Sequence, residues 1–243
     1  MAHKNYQLEE KDLLASICRE SLFDFVKEFW YEVSSEKPVW NWHIPYICQE
    51  LQTLADRVFR GLPRKYDLLI NVPPGTTKST VCSIMFPAWC WTRMPHCRFI
   101  CGSYADRLAL DLSRKCRDVI RSDRYRNSFP DIKLRSDQDT KGYFANYKQG
   151  DRFSVGVGGS VLGMHGHFLI VDDPIDPLEV LSEARLKEVN QWMGQQLSQR
   201  KVDKAVSPLI LIMQRLHQND PSGNLLIRKK NRLVSGISAY RPN

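Results

Sequence analysis

Two short segments carry the side chains best suited to chemistry. The first is Asn71-Val-Pro-Pro-Gly-Thr-Thr-Lys-Ser-Thr80, which follows an apolar run and opens a helical pattern. A turn between a strand and a helix N-terminus aims backbone N–H groups at one spot, and the helix dipole favours an anion there. In that setting Pro74, Gly75, Thr76, Thr77, Lys78, Ser79 and Thr80 would cradle phosphates. Lys78 would reach the terminal phosphates, and the Ser79 hydroxyl would ligate magnesium, which requires hard oxygen ligands. The spacing departs from Gly-x-x-x-x-Gly-Lys-Ser/Thr, because Val72 and Thr77 stand at the two glycine positions and Gly75 is the only glycine of the loop. A Pro-Gly turn with a capping threonine ahead of an ordinary helix would read the same way.

The second segment is Phe168-Leu-Ile-Val-Asp172-Asp173-Pro174. Its apolar run places two carboxylates just beyond the edge of a sheet. Asp172 would hold a hydrated magnesium ion and Asp173 would polarise an attacking water. These are the parts that phosphoryl transfer needs, since there the protein mainly positions groups and stabilises charge. Alone, Asp-Asp-Pro also fits the end of a strand and the start of a turn. The two segments together point to ATP and Mg2+.

The elements around these segments follow from periodicity. Helices are expected from Leu8 to Trp30, His43 to about Arg60, Lys78 to Trp91, Ala105 to Arg121 and Glu183 to Ser198, with Gly61 and Pro63 ending the second. Asp67–Val72, Arg98–Ser103, His167–Val171 and Pro208–Met213 read as buried strands. Tyr143–Tyr147 and Arg152–Val157 flank Lys148-Gln-Gly-Asp151 as a hairpin. Apolar strands separated by helices imply an α/β fold, a mostly parallel sheet with helices on both faces, whose chemistry gathers at the carboxyl ends of the strands.

The composition suits a soluble globular chain: 243 residues, 42% hydrophobic and 26% charged. No apolar run approaches a membrane span, so no membrane partner is expected, and the polar Met1–Glu20 segment is no signal peptide. The seven cysteines, an odd number without CxxC spacing, argue for buried free thiols rather than a disulfide framework or zinc site. A net charge of +8 is compatible with a polyanionic partner. On the helix from Ala105 to Arg121, Arg107, Arg114, Arg117 and Arg121 lie opposite an apolar stripe, but interspersed aspartates favour a solvated face. The cluster Arg228, Lys229, Lys230 and Arg232 is purely basic and suits a phosphate backbone.

The order of motifs resembles the large terminase subunits of tailed phages. The likeness runs through Asn41-Trp-His43, the Leu69-to-Ser79 loop, Phe86-Pro-Ala-Trp89, Cys101-Gly-Ser-Tyr104, Phe129-Pro130, Asp172-Asp-Pro174, and Gln214-Arg-Leu-His-Gln-Asn-Asp220 with Gly223. It implies a P-loop NTPase fold of the ASCE type, with residues 1–62 as an N-terminal helical segment packed on a core of residues 63–243. It implies an ATPase that drives double-stranded DNA into a viral procapsid in the host cytoplasm, outside the mature virion. The implied partners are the portal protein, a small terminase subunit and further copies of the chain in a ring. The nuclease that follows the ATPase in such proteins is not expected within this sequence.

Carried over by position, Lys78 and Ser79 resemble the phosphate and metal residues, and Asp172 and Asp173 the metal and water pair. Gln214 and Arg215 resemble the motif that senses the γ-phosphate. His43 and Gln49 fall where adenine contacts would lie, although His43 could equally pack beside Trp40 and Trp42. Asp173 stands where such motors usually carry the longer Glu. Gly75, Met164 and His165 stand where many relatives carry an arginine, and Arg200 and Arg215 are candidates for the arginine that completes a neighbour's site. Two other readings fit the same residues: a helicase-like translocase, and a nucleotide-binding structural subunit that does not hydrolyse ATP.

Overall fold

A computed structural model describes residues 2–228 and 234–238, with side chains described for 11–227. The described residues form an α/β fold built on one sheet of eight strands: β1 (Asp67–Asn71), β2 (Arg98–Ser103), β3 (Leu134–Asp139), β4 (Tyr143–Asn146), β5 (Asp151–Gly156), β6 (Phe168–Asp172), β7 (Leu209–Met213) and β8 (Val234–Ser238). Their order across the sheet is β3-β4-β5-β2-β6-β7-β1-β8. From β5 to β8 every neighbouring pair is parallel, and antiparallel pairing is confined to β3–β4 and β4–β5. β1, β6 and β7 are buried along their whole length, which is why they read as unbroken apolar runs.

Alternate strand residues divide two cores. Leu68, Ile70, Phe99, Cys101, Phe168, Ile170, Ile210 and Ile212 face one helical layer. That layer contains α2 (Leu22–Glu28), α3 (His43–Phe59), α4 (Phe86–Arg93) and α5 (Asp106–Arg121). Leu69, Ile100, Leu169, Val171, Leu209, Leu211 and Met213 face the other way, against α7 (Glu183–Gln191) and the turns after it, including Trp192 and Leu197. Residues of α2 and α3 belong to the same apolar cluster as Trp89 and Phe129, so the N-terminal helices share a continuous core with the sheet.

Several expected elements are subdivided. The helix expected over Leu8–Trp30 is two, α1 (Ala2–Glu20) and α2, followed by a 3-10 turn at Trp30–Glu32. The break falls at Ser21, whose extended backbone and hydroxyl, accepting from the Asp24 N–H at 3.1 Å, form an N-cap that begins a new helix. The helix expected over Lys78–Trp91 is wound as a π-helix from Thr80 to Met85 before it becomes α4. That expected over Glu183–Ser198 is α-helical only to Gln191, then π-wound over Trp192–Gln196 and 3-10 over Leu197–Arg200. The short helices α6 (Asp123–Ser128) and α8 (Pro221–Arg228) and the strands β3 and β8 were not expected. β3 is a partly exposed edge strand, Leu-Arg-Ser-Asp-Gln-Asp, with no apolar alternation to mark it. All seven cysteines are free and buried. Among the described residues no helix is long and apolar enough to cross a membrane.

Candidate functional site

The carboxyl ends of β1, β2, β6 and β7 meet around an open cleft of about 390 Å³. It is lined by residues Pro74 to Thr80 after β1, by Tyr104 after β2, by Asp173 after β6 and by Gln214 after β7. Placement follows from topology, since in a parallel sheet the loops after the strands all emerge at one edge.

The loop after β1 adopts a strained backbone. Gly75 has φ +74°, and Thr77 also lies in the left-handed region at φ +60°. Thr77 stands at a position where the P-loop pattern carries glycine, so the loop takes up the left-handed turn without one. The conformation costs about 1 kcal/mol or more for a residue with a Cβ. Local bonds oppose this cost: the Val81 N–H donates to the Thr77 carbonyl at 3.0 Å, the Thr77 hydroxyl to the Thr76 carbonyl at 2.5 Å, and the Thr76 hydroxyl to the Pro73 carbonyl at 2.7 Å. His43 reaches the same loop. Its Nε2 lies 3.1 Å from the Thr76 carbonyl, an acceptor only, so Nε2 carries the proton. Its ring also stands edge-on to Trp42 at 6.1 Å, so His43 both packs beside Trp42 and steadies the loop.

Side chains from two segments far apart in sequence converge at this loop. Lys78 Nζ is 3.1 Å from Asp173 Oδ1 across 95 positions. The Ser79 hydroxyl donates to Asp172 Oδ1 at 3.0 Å across 93 positions. Asp172 Oδ2 accepts from the Ser83 hydroxyl at 2.6 Å. Asp172 is buried, and its burial pushes the carboxyl up to about 6, against the opposing pull of the Ser83 hydroxyl. Asp173 also has a left-handed backbone, φ +44°. Two backbone bonds hold it there: its N–H donates to the Ile212 carbonyl at 2.8 Å, and its carbonyl accepts from the Tyr104 N–H at 3.0 Å. The turn carries the Asp173 side chain out of the sheet and over the lysine.

The donor set fits a magnesium ion carried by a phosphate. Ser79 Oγ and the Asp172 carboxylate are hard oxygens, and among the described residues no cluster of three or more His, Cys, Asp or Glu side chains forms a cage of its own. Magnesium is characteristically held by one or two carboxylates, with waters and phosphate oxygens completing its shell.

Gln214 lines the cleft, whereas Arg215 beside it is turned onto Asp220. Asp220 organises the whole segment. It is buried, and its carboxylate accepts from Leu216 N–H (2.9 Å), His217 N–H (3.1 Å), Gly223 N–H (2.7 Å) and Arg215 Nε (3.2 Å). The Ser222 hydroxyl then donates to Asn71 Oδ1 at 2.5 Å, which ties α8 to the strand that feeds the loop over residues 72–79. Asp220 belonged to the sequence motif without a role. Tyr104 and Asn71 likewise stood in quoted motifs without a role, and Ser83 gave no signal beyond standing near one.

Other candidates lie elsewhere. Gln49 is exposed on α3, about 120° around the helix from His43, and does not line the cleft. Arg200 sits at the opposite end of the sheet, where its carbonyl accepts from the Gly166 N–H ahead of β6. Of the arginines on α5, Arg117 and Arg121 pair with Asp139, and Arg114 pairs with Asp111 and Asp118, leaving Arg107 exposed on that face. Lys229, Lys230 and Arg232 lie outside the described residues, as does the Arg228 side chain.

No protein-family model and no curated protein matches the sequence. Among solved structures, the large terminase of bacteriophage HK97 matches with a TM-score of 0.56 and 10% identity, over 92% of this chain. The aligned region spans 44% of that terminase chain. The fold is therefore terminase-like.

Proposed function

We propose that this chain is the ATP-hydrolysing motor of a terminase-type enzyme that moves double-stranded DNA into a viral procapsid. The observation that carries the reading is the convergence of Lys78, Ser79, Asp172 and Asp173 on one cleft at the carboxyl edge of a terminase-like sheet. Residues Pro74 to Thr80 would bind the phosphates through backbone N–H groups at a helix start. Lys78 would neutralise charge on the terminal phosphate, and Ser79 and Asp172 would hold Mg2+. The ion, when bound, supplies electrophilic stabilisation of the phosphoryl oxygens.

Asp173 has the remaining role. Its side chain is about one-third exposed and sits at the rim beside Lys78, where it can accept a hydrogen bond from a water aligned with the terminal phosphate. Gln214 faces the same space from the end of β7. Through Arg215 and Asp220 a change at Gln214 would reach α8, which is how loss of a phosphate could be passed to a DNA-gripping surface. Such a surface should contact phosphate backbone rather than base edges, since a packaging motor accepts any sequence. The portal, a small subunit and neighbouring copies in a ring are the partners this reading calls for.

Steady-state ATP hydrolysis, with and without duplex DNA, tests it. Wild type should turn over ATP in a Mg2+-dependent way, and Lys78→Ala should lower the rate by roughly two orders of magnitude or more. Turnover unaffected by Lys78→Ala, or none at high protein concentration while nucleotide still binds, would leave a binding subunit in place of a motor.

A further inference from the structure

The most unusual buried group outside the cleft is Arg152. It lies on β5, opposite Phe99 of β2, with its side chain between the sheet and the layer of α4 and α5. Its relative exposure is 1%, and among the described residues it pairs with no carboxylate. Nη1 donates to the Ser83 carbonyl at 2.5 Å, Nε approaches the Ser154 hydroxyl at 3.4 Å, and Nη2 is buried with no hydrogen-bond partner. A guanidinium placed this way is expensive, and an apolar side chain of similar volume would suit the core better.

Its shortest contact, with the Ser83 carbonyl, explains the placement, and the Cys116 thiol also lies against the guanidinium. Ser83 lies in the π-wound turn Thr80–Met85, where the ordinary α-helical ladder is interrupted. The Ser83 carbonyl is held by Arg152, while the Ser83 hydroxyl holds Asp172 Oδ2. With Oδ2 fixed from below, Oδ1 faces Ser79 and the phosphate loop. Ser103, the register partner of Asp172 on β2, has a buried hydroxyl that makes no hydrogen bond and does not share this task.

We propose that Arg152 is a positioning residue: by clamping the carbonyl of Ser83 it sets the Ser83 hydroxyl, which aims the Asp172 carboxylate at the cation that accompanies the bound phosphates. The inference rests on the nucleotide reading above and extends it to residues on β5 and in the π turn. No atom of Arg152 enters the cleft, so its effect falls on cation affinity and not on the phosphate loop.

The test is binding of a fluorescent ADP analogue, titrated with Mg2+ and repeated in EDTA, for wild type, Arg152→Met, Arg152→Lys, Ser83→Ala and the Arg152→Met/Ser83→Ala double variant. Removing either link should raise the half-saturating Mg2+ concentration about tenfold, the scale seen when an outer-shell partner of a metal ligand is lost. The double variant should shift no further than the singles, because both changes break one relay. Affinity in EDTA should move less than twofold, and Arg152→Lys, which keeps a donor, should recover most of the Mg2+ response. Ser83→Ala, the smaller change, carries the test if Arg152→Met does not melt cooperatively. An unshifted Mg2+ midpoint in the folded variants, equal losses with and without metal, or fully additive shifts would overturn the relay. Wild type that binds no nucleotide in either condition would overturn the nucleotide reading itself, and the relay with it.

Discussion

Asp172→Asn should make the metal-free protein more stable above pH 6 even as it removes the carboxylate proposed to hold the metal. The Asp172 carboxyl is buried and pushed from its ordinary 3.8 to about 6. A difference of that size between folded and unfolded chains amounts to roughly 3 kcal/mol against folding once the group is ionised in both states. An asparagine of the same shape removes the buried charge. It gives back part of the gain, about 1 kcal/mol, because one of the hydroxyls of Ser79 and Ser83 must turn from donor to acceptor at the new amide. The net expectation is a gain of about 2 kcal/mol at pH 8 in EDTA.

The sign with pH follows from proton uptake. Between pH 3.8 and about 6 the native state holds a proton at Asp172 that the unfolded chain has released, so the wild-type contribution improves as pH falls. The advantage of Asp172→Asn is therefore largest above pH 6 and fades toward pH 4. Urea denaturation of both proteins at pH 8, 6 and 4.5 measures it directly. A variant less stable than wild type at pH 8, or a gap that does not change with pH, would refute the reasoning. The same protonation competes with cation binding, so Mg2+ affinity of the wild type should weaken as pH drops below 6.

Two further outcomes are expected elsewhere in the fold. His167 accepts the Arg98 N–H at Nδ1 (3.0 Å), and burial first, then the Arg98 charge, pushes its imidazole down to about 4. The unfolded chain therefore takes up a proton first, and this histidine's contribution is lost as pH falls from 6.5 toward 4; an NMR titration midpoint at or above 6 would contradict it. Asp220→Ala strips four donors of their acceptor in a buried turn and should cost about 2–4 kcal/mol in denaturant unfolding, with a cost below about 1 kcal/mol counting against its organising role.

The residues that face the cleft were legible in the chain because their physics is local. An unbroken apolar run can only be a buried strand or helix segment, and a turn after such a run places its polar residues at the sheet edge. The segments that carry Lys78, Ser79, Asp172 and Asp173 were picked out in this way, whereas Gln214 was marked only by the family resemblance. The capped end of α3 at Gly61 and the β4–β5 hairpin are equally local. Strand order is different. Runs buried on both faces look alike, so nothing in them states that β7 lies between β6 and β1, or that β2 separates β6 from β5. That order is decided by long-range packing, and it brings Asp172 and Lys78 together from opposite sides of β7. Arg152 shows the same limit from the other direction. Its sequence neighbourhood marks a strand of alternating polarity and nothing more. Only the packing of β5 against the π-wound turn over Thr80–Met85 turns that arginine inward, onto the Ser83 carbonyl, because what a charged side chain does depends on what the folded chain closes around it.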